Sequence, residues 1–362
     1  MVNGIISIFV CLFYILISWQ KKYDFSLIRV YSLWNFLIIC DYYFSQYLFV
    51  NYSDEIDLFF FVYINAFMIF YLLARLICRY NNYSIKIRLA KVSSGIFFVI
   101  SIVLYIISVT LFFSALYRMG YTELREKMGS KEISFYIALS YPMCSASLFY
   151  ININKMHTPY RNIFIWCVIT LAIISTSKIF MVLSFLYIIK WYVPGYKIKL
   201  LEIVIIIIIG ISGFFILHLL TNRIVGTGDN QFHKLLYTFN GYLLGGFASF
   251  NLYLDNKLEM YTTNGWIYTG TWIGNVIAGF RQIFQEHNYI LLAIRSALLG
   301  LFYGFLFANR NKYIKYIKIY SFFPLLFIYF SDFFGSAVLQ WITFAIATIA
   351  LLFIKEPKTE TI

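Results

Sequence analysis

Apolar residues run along this chain in long unbroken blocks, with little of the two-residue alternation of a half-buried strand. A membrane-crossing helix needs about 20 mostly apolar residues. Blocks of that kind lie at 2–19, 26–49, 57–78, 95–117, 133–153, 200–220, 288–308, 315–331 and 336–354. The stretch 161–193 is longer. As one helix it would run roughly 50 Å at 1.5 Å per residue, against a hydrocarbon core of about 30 Å. Both flanks are basic, with Lys155 and Arg161 before it and Lys190, Lys197 and Lys199 after it. Like-charged flanks belong on one side of a bilayer, so the chain must turn back. Ser175-Thr176-Ser177-Lys178 supplies the turn. The pattern predicts an all-α polytopic membrane protein of about eleven transmembrane helices, a single integral domain over 1–362.

Charge then orients these helices. Loops 20–29, 75–91, 154–161, 190–199, 309–318 and the tail from Lys355 alternate with 50–57, 118–132, 175–178, 221–287 and Ser331-Asp332. The first set holds about 19 of the 29 Lys and Arg and about 4 of the 16 Asp and Glu; the second holds about 10 and about 12. Basic loops stay in the cytoplasm, so the N-terminus is expected outside and the C-terminus inside. The one large late loop, 221–287, is then periplasmic. Within it, Leu235 to Leu254 carries no charge and is long enough to span, and 262–280 could be a second span that keeps parity. Asn240, Gly241, Gly245, Gly246 and Asn251, with many Tyr and Phe, suit interfacial helices lying on the membrane instead.

Composition narrows the class. Charged residues make up 12% of the chain and hydrophobic ones 61%, against about 25% charged in a soluble domain. So little charge cannot coat a water-soluble surface of this size, which excludes a soluble enzyme, a disordered chain and a nucleic-acid module. The net charge of +13 serves orientation rather than a polyanion partner. Cys11, Cys40, Cys78, Cys144 and Cys167 all sit in apolar runs and none forms a CxxC. His157, His218, His233 and His287 lack metal-ligand spacing, so neither a metal nor another cofactor is expected. Gly226-Thr227-Gly228-Asp229 reads as a plain loop, and the first apolar run as a retained helix rather than a signal peptide.

Chemistry should show as polar groups that orientation does not require. Lysine and arginine are selected against on the outer side, yet Arg118, Arg125, Lys127, Lys131, Lys178, Arg223, Lys234, Lys257, Arg281 and Arg295 fall there. Arg295 lies roughly 10 Å below the outer end of its helix, where a charge costs about 2.5–3.5 kcal/mol on insertion scales. A ligand, snorkelling, or a partner such as Asp332 would offset that cost. Each leg of the 161–193 hairpin is roughly 22 Å long, shorter than the core, so Lys178 is expected in an outward-facing polar chamber. Its alternative is a helix-end lysine among lipid phosphates. Arg118 and Arg125 are seven apart, so on one helix they would share a face. Outward arginines suit phosphate, whose geometry the guanidinium fork matches; a salt-bridged surface helix with Glu123, Glu126 and Glu132 is the alternative. Arg223, Asp229 and His233, with Tyr237, Phe239, Tyr242, Phe247 and Phe250, could form a sugar-binding wall, although such aromatics are also interface anchors.

An eleven-helix shell, a short hairpin with an S-T-S-K turn, an Arg-rich outer loop and one large late loop together resemble bacterial O-antigen polymerases of the Wzy type. The run Tyr242-Leu-Leu-Gly-Gly-Phe-Ala-Ser-Phe-Asn251 looks like a segment these polymerases carry in that loop. The resemblance implies a multi-pass glycosyltransferase of the bacterial inner (cytoplasmic) membrane. It would join undecaprenyl-pyrophosphate-linked repeat units at the periplasmic face, beside a chain-length regulator membrane protein and with no nucleic acid. On that reading Lys178, Arg118, Arg125, Arg223 and Arg295 bind the pyrophosphate and stabilise charge as it leaves. Asp229 or His233 would take the proton of the attacking hydroxyl. Related enzymes often have arginine in the hairpin turn; this chain has Lys178. The rivals are an O-antigen ligase with the same chamber, and a lipid-linked oligosaccharide flippase or transporter. The latter would need midplane charge and little outer loop, the reverse of this pattern.

Overall fold

The computed structural model describes residues 2–18, 26–45, 55–80, 92–127, 131–156, 159–175, 178–188, 230–263, 266–269, 273–274, 280–284, 287–329 and 338–354. Nearly all of them are helical. The chain groups into two compact units, one of Met1–Ser84, Ile211–Arg310 and Phe322–Ser336, the other of Ile85–Gly210, Asn311–Ser321 and Ala337–Ile362.

The first unit is built on α1 (Val2–Ser18), α2 (Ser26–Ser45), α3 (Glu55–Tyr80), α8 (Gln231–Leu254), a single turn α9 (Phe280–Ile283) and α10 (Tyr289–Ala308). Between α8 and α9 a small antiparallel sheet runs β1 (Thr262–Thr263), β2 (Trp266–Tyr268), β3 (Ile273–Gly274), in that spatial order. The second unit holds α4 (Ser94–Lys127), α5 (Lys131–Ile153), α6 (Tyr160–Ile174), α7 (Lys178–Ile188) and α12 (Val338–Phe353). Helix α11 (Lys315–Leu326) gives its first turns to the second unit and its last residues to the first.

Among the described residues, Glu55–Cys78, Ser94–Gly120 and Tyr289–Ala308 are long and apolar enough to cross a membrane. Large apolar side chains fill their interior and also cover their outside, unlike the surface of a water-soluble protein. On α10 the exposed face carries Ile290, Ile294, Leu298, Phe302 and Phe305, while Ser296, Gly300 and Gly304 are buried. In the interior Asn35, Asp57, Asn251 and many serines are buried, while Leu and Ile line the outside of α3 and α4. Only a lipid solvent makes that arrangement favourable, because apolar side chains then need not hide and backbone groups must pair internally.

Tight helix contacts explain the core of each unit. A Cβ on Gly300 would lie 2.2 Å from the Phe67 carbonyl oxygen, and one on Gly304 would lie 2.5 Å from Ala74 Cβ. Ser296, Gly300, Gly304 and Ala308 recur every fourth residue on α10, so one small-residue seam lets α3 approach backbone to backbone. In the second unit hydroxyls replace glycines as the glue. Ser101 and Ser147 lie 2.9 Å apart, Ser108 donates to Ser140 at 2.9 Å, and Tyr141 and Ser184 pair at 3.0 Å. Pro142 inside α5 has no N–H to give, and the Tyr316 hydroxyl donates to its carbonyl at 2.6 Å.

Two local expectations change. Helix α4 runs on to Lys127, but Gly120 takes a non-helical backbone (φ 72°, ψ 168°) between Arg118 and Arg125. Across such a break a seven-residue spacing no longer places two side chains on one face. Phe247 and Phe250, readable as membrane-interface anchors, are fully buried and pack in the first unit's core against Tyr42, Phe60 and Phe59. Helix α6 ends at Ile174 and α7 begins at Lys178, so the break falls at the Ser175–Lys178 turn; 176 and 177 lie outside the described residues.

Candidate functional site

Acidic residues open α3. Glu55 and Asp57 occupy its first turn, where carboxylates complement the positive end of the helix dipole. Asp57 is only 2% exposed, set among Ile56, Phe59 and Phe60. A buried carboxylate needs hydrogen bonds to be tolerated. The Tyr43 hydroxyl, from the end of α2, donates to Asp57 Oδ1, and the Ser7 hydroxyl donates to the Asp57 carbonyl at 3.4 Å. Next to Tyr43, the Tyr42 hydroxyl accepts from the buried Asn251 amide nitrogen of α8. The Asn251 amide oxygen has no hydrogen-bond partner among the described residues.

Aromatic rings seat the remaining pieces. Phe59 packs at 5.0 Å against both Phe250 and Phe280, and at 5.4 Å against Phe284. That anchors the short segment from α9 to the start of α10, which carries His287. Its backbone is left-handed, with φ 51°, a conformation uncommon outside glycine and kept where surroundings hold it. The His287 ring stacks on Tyr253 at 5.2 Å and meets the edge of Phe284 at 5.5 Å. His287 Nδ1 stands 3.5 Å from Glu55 Oε2. Arg281 lies over the Tyr253 ring at 5.3 Å, a cation–π contact. The Tyr253 hydroxyl donates to the Phe284 carbonyl at 3.5 Å. Asn288 caps α10 by accepting from the Leu291 N–H at 3.0 Å. Two turns on, the half-buried Arg295 donates from Nη1 to the Ile283 carbonyl at 3.1 Å.

One end of the first unit therefore gathers two carboxylates, an imidazole, two guanidiniums and several phenols, on residues far apart in sequence. Such a set can bind an anion and can move a proton.

No protein-family model matches the chain, and no solved structure does. An O-antigen polymerase from Shigella dysenteriae is 27% identical to it over 187 residues, covering 45% of this chain and 48% of that protein. The chain resembles an O-antigen polymerase. It spans about half the length of that relative.

The residues singled out from sequence fall in both units. Arg118, Arg125 and Lys178 belong to the second; His233 and Arg295 belong to the first. Arg118 is exposed near the end of the straight part of α4. The side chains of Arg125 and Lys178, and the whole of Arg223 and Asp229, lie outside the described residues, as does Asp332. His233 is exposed in the first turn of α8, where its N–H donates to the Asn230 side chain at 2.8 Å. Arg295 is the one member of that set that this constellation includes among the described residues. Arg281, one of the outward basic residues of the sequence, joins it, and Glu55, Asp57, Tyr253 and His287 join it unforeseen. Their signal in a chain resembling an O-antigen polymerase is faint: acids at the mouth of an apolar block, and a His-Asn pair just before another.

Proposed function

We propose that this chain polymerises undecaprenyl-pyrophosphate-linked O-antigen repeat units by glycosyl transfer at the periplasmic face of the bacterial inner membrane. The observation that carries this reading is the 27% identity to an O-antigen polymerase over 187 residues. The lipid-facing helices support it, because a lipid-linked sugar substrate must be met from within the bilayer. In this reading about eleven helices surround the site, with the N-terminus outside and the C-terminus cytoplasmic. Lys178, Arg118, Arg125, Arg223 and Arg295 hold the pyrophosphate. They stabilise the charge that grows on it as the anomeric carbon–oxygen bond breaks, which is electrostatic catalysis. An acceptor sugar hydroxyl attacks that carbon and yields its proton to a base in the late outer loop, where the sequence offers Asp229 and His233. A chain-length regulator membrane protein is the partner expected beside it.

The test is the lipopolysaccharide ladder. Deleting the gene should leave a single attached repeat, and the wild-type chain should restore the ladder. Lys178→Ala, Arg118→Ala and Arg223→Ala should each shorten or abolish it while remaining in the membrane. Wild-type ladders from all three would sink the charge clamp. A deletion strain that keeps polymer on its lipid carrier and leaves lipid A core bare would instead indicate a ligase.

A further inference from the structure

We infer that His287, oriented by Glu55, is the base that takes the proton from the acceptor sugar hydroxyl. This rests on the polymerase reading and replaces the bases that the sequence alone suggests.

Geometry makes the case. A useful general base needs one ring nitrogen held by an acceptor and the other left for substrate. Glu55 Oε2 lies 3.5 Å from His287 Nδ1, so a proton carried on Nδ1 would face the carboxylate and leave the Nε2 lone pair for substrate. The ring cannot swing freely, because Tyr253 stacks on it and Phe284 abuts it. Tyr253 is itself held, by its bond to the Phe284 carbonyl and by Arg281 over its ring. The His287 side chain remains 29% exposed, so a substrate hydroxyl can reach it. Its left-handed backbone is a second mark of a residue placed for use rather than for packing. His233, by contrast, is exposed and uses its backbone N–H in a helix cap. Among the described residues, the ionisable groups of this segment and the elements packed on it are Glu55 of α3, Tyr253 of α8, Arg281 of α9, and Tyr289 and Arg295 of α10. Arg281 and Arg295 bring positive charge to the same segment, where the leaving pyrophosphate would lie.

The step balances. The acceptor oxygen forms a bond to the anomeric carbon, and the bond from that carbon to the pyrophosphate oxygen breaks. The pyrophosphate departs with the electron pair, and the acceptor proton passes to Nε2 and then to water. Glu55 touches no reacting atom and acts as a positioning residue.

The experiment uses the full-length protein in membranes, fed lipid-linked repeat units extracted from the deletion strain, with polymer formation followed against pH. Wild-type activity should fall at the acid end of that profile. His287→Ala and the bulkier His287→Gln should lower the polymerisation rate about 10²–10⁴-fold, remove that acid limb, and leave photo-crosslinking to the lipid-linked repeat intact. Glu55→Gln should slow the reaction while keeping the limb, and Glu55→Asp should recover part of the rate. Wild-type rates from His287→Gln, or an acid limb that survives in it, would overturn the inference while leaving the polymerase reading untouched. A wild-type protein that makes no polymer from these repeats would instead defeat the reading on which the inference rests.

Discussion

Asp57 shows how much one buried carboxylate can cost. At 2% exposure it sits where only hydrogen bonding makes a carboxylate tolerable, and Tyr43 supplies one such bond. Tyr43→Phe removes that donor and keeps the ring, so it should destabilise the fold by about 1–3 kcal/mol. Detergent-solubilised protein, heated and followed by size-exclusion recovery, should lose its folded peak several degrees earlier than wild type; an unchanged midpoint would show that the bond carries no stability. Neither Asp57 nor its partner stands out in the sequence. An aspartate at the start of an apolar block reads as the last charge of a loop, because a hydrogen bond from the end of the preceding helix has no sequence signature. His287 is hidden for the same reason: its carboxylate lies on α3, far along the chain.

Between α3 and α10 the decisive atoms are absent ones. Gly300 and Gly304 have no Cβ where one would strike the Phe67 and Tyr71 carbonyls. Gly300→Leu and Gly304→Leu should therefore part the two helices and sharply reduce folded protein in the membrane. Gly95→Ala is the control, since its nearest neighbour, Ser93 Oγ, is 3.6 Å away; it should behave as wild type or gain slightly, helical glycine being weaker than alanine. Membrane-fraction fluorescence of a C-terminal fusion reads all three, and equal signals would remove the seam from the account. This seam is legible in the sequence, as small residues every fourth position, with its partner left open. The opposite holds for Phe247 and Phe250. Glycine, asparagine and aromatics together fit an interface helix equally well, and their burial depends on α2 and α3, which local pattern cannot supply.

For the molecule as a whole, apolar length is what reads most directly. Blocks at 57–78, 95–117 and 288–308 correspond to the helices Glu55–Cys78, Ser94–Gly120 and Tyr289–Ala308, because a bilayer imposes its thickness on any segment that crosses it. Orientation follows from charge and is open to direct measurement. Alkaline phosphatase fused after position 240 should be active and the same enzyme fused at position 355 should be inactive, as a periplasmic late loop and a cytoplasmic tail require. The reverse pair of results would invert the assignment.

The glycine seam reaches further than packing. Glu55 heads α3 and His287 stands just before α10, so the register of these two helices sets the gap between carboxylate and imidazole. Gly304 lies 15 residues into that helix, roughly 22 Å from its start, yet a side chain there would push on the same lock. Gly304 is thus a natural seat for a conditional allele. A residue barely too large would leave a protein that assembles, and whose gap between carboxylate and imidazole answers to temperature through a position far from either group.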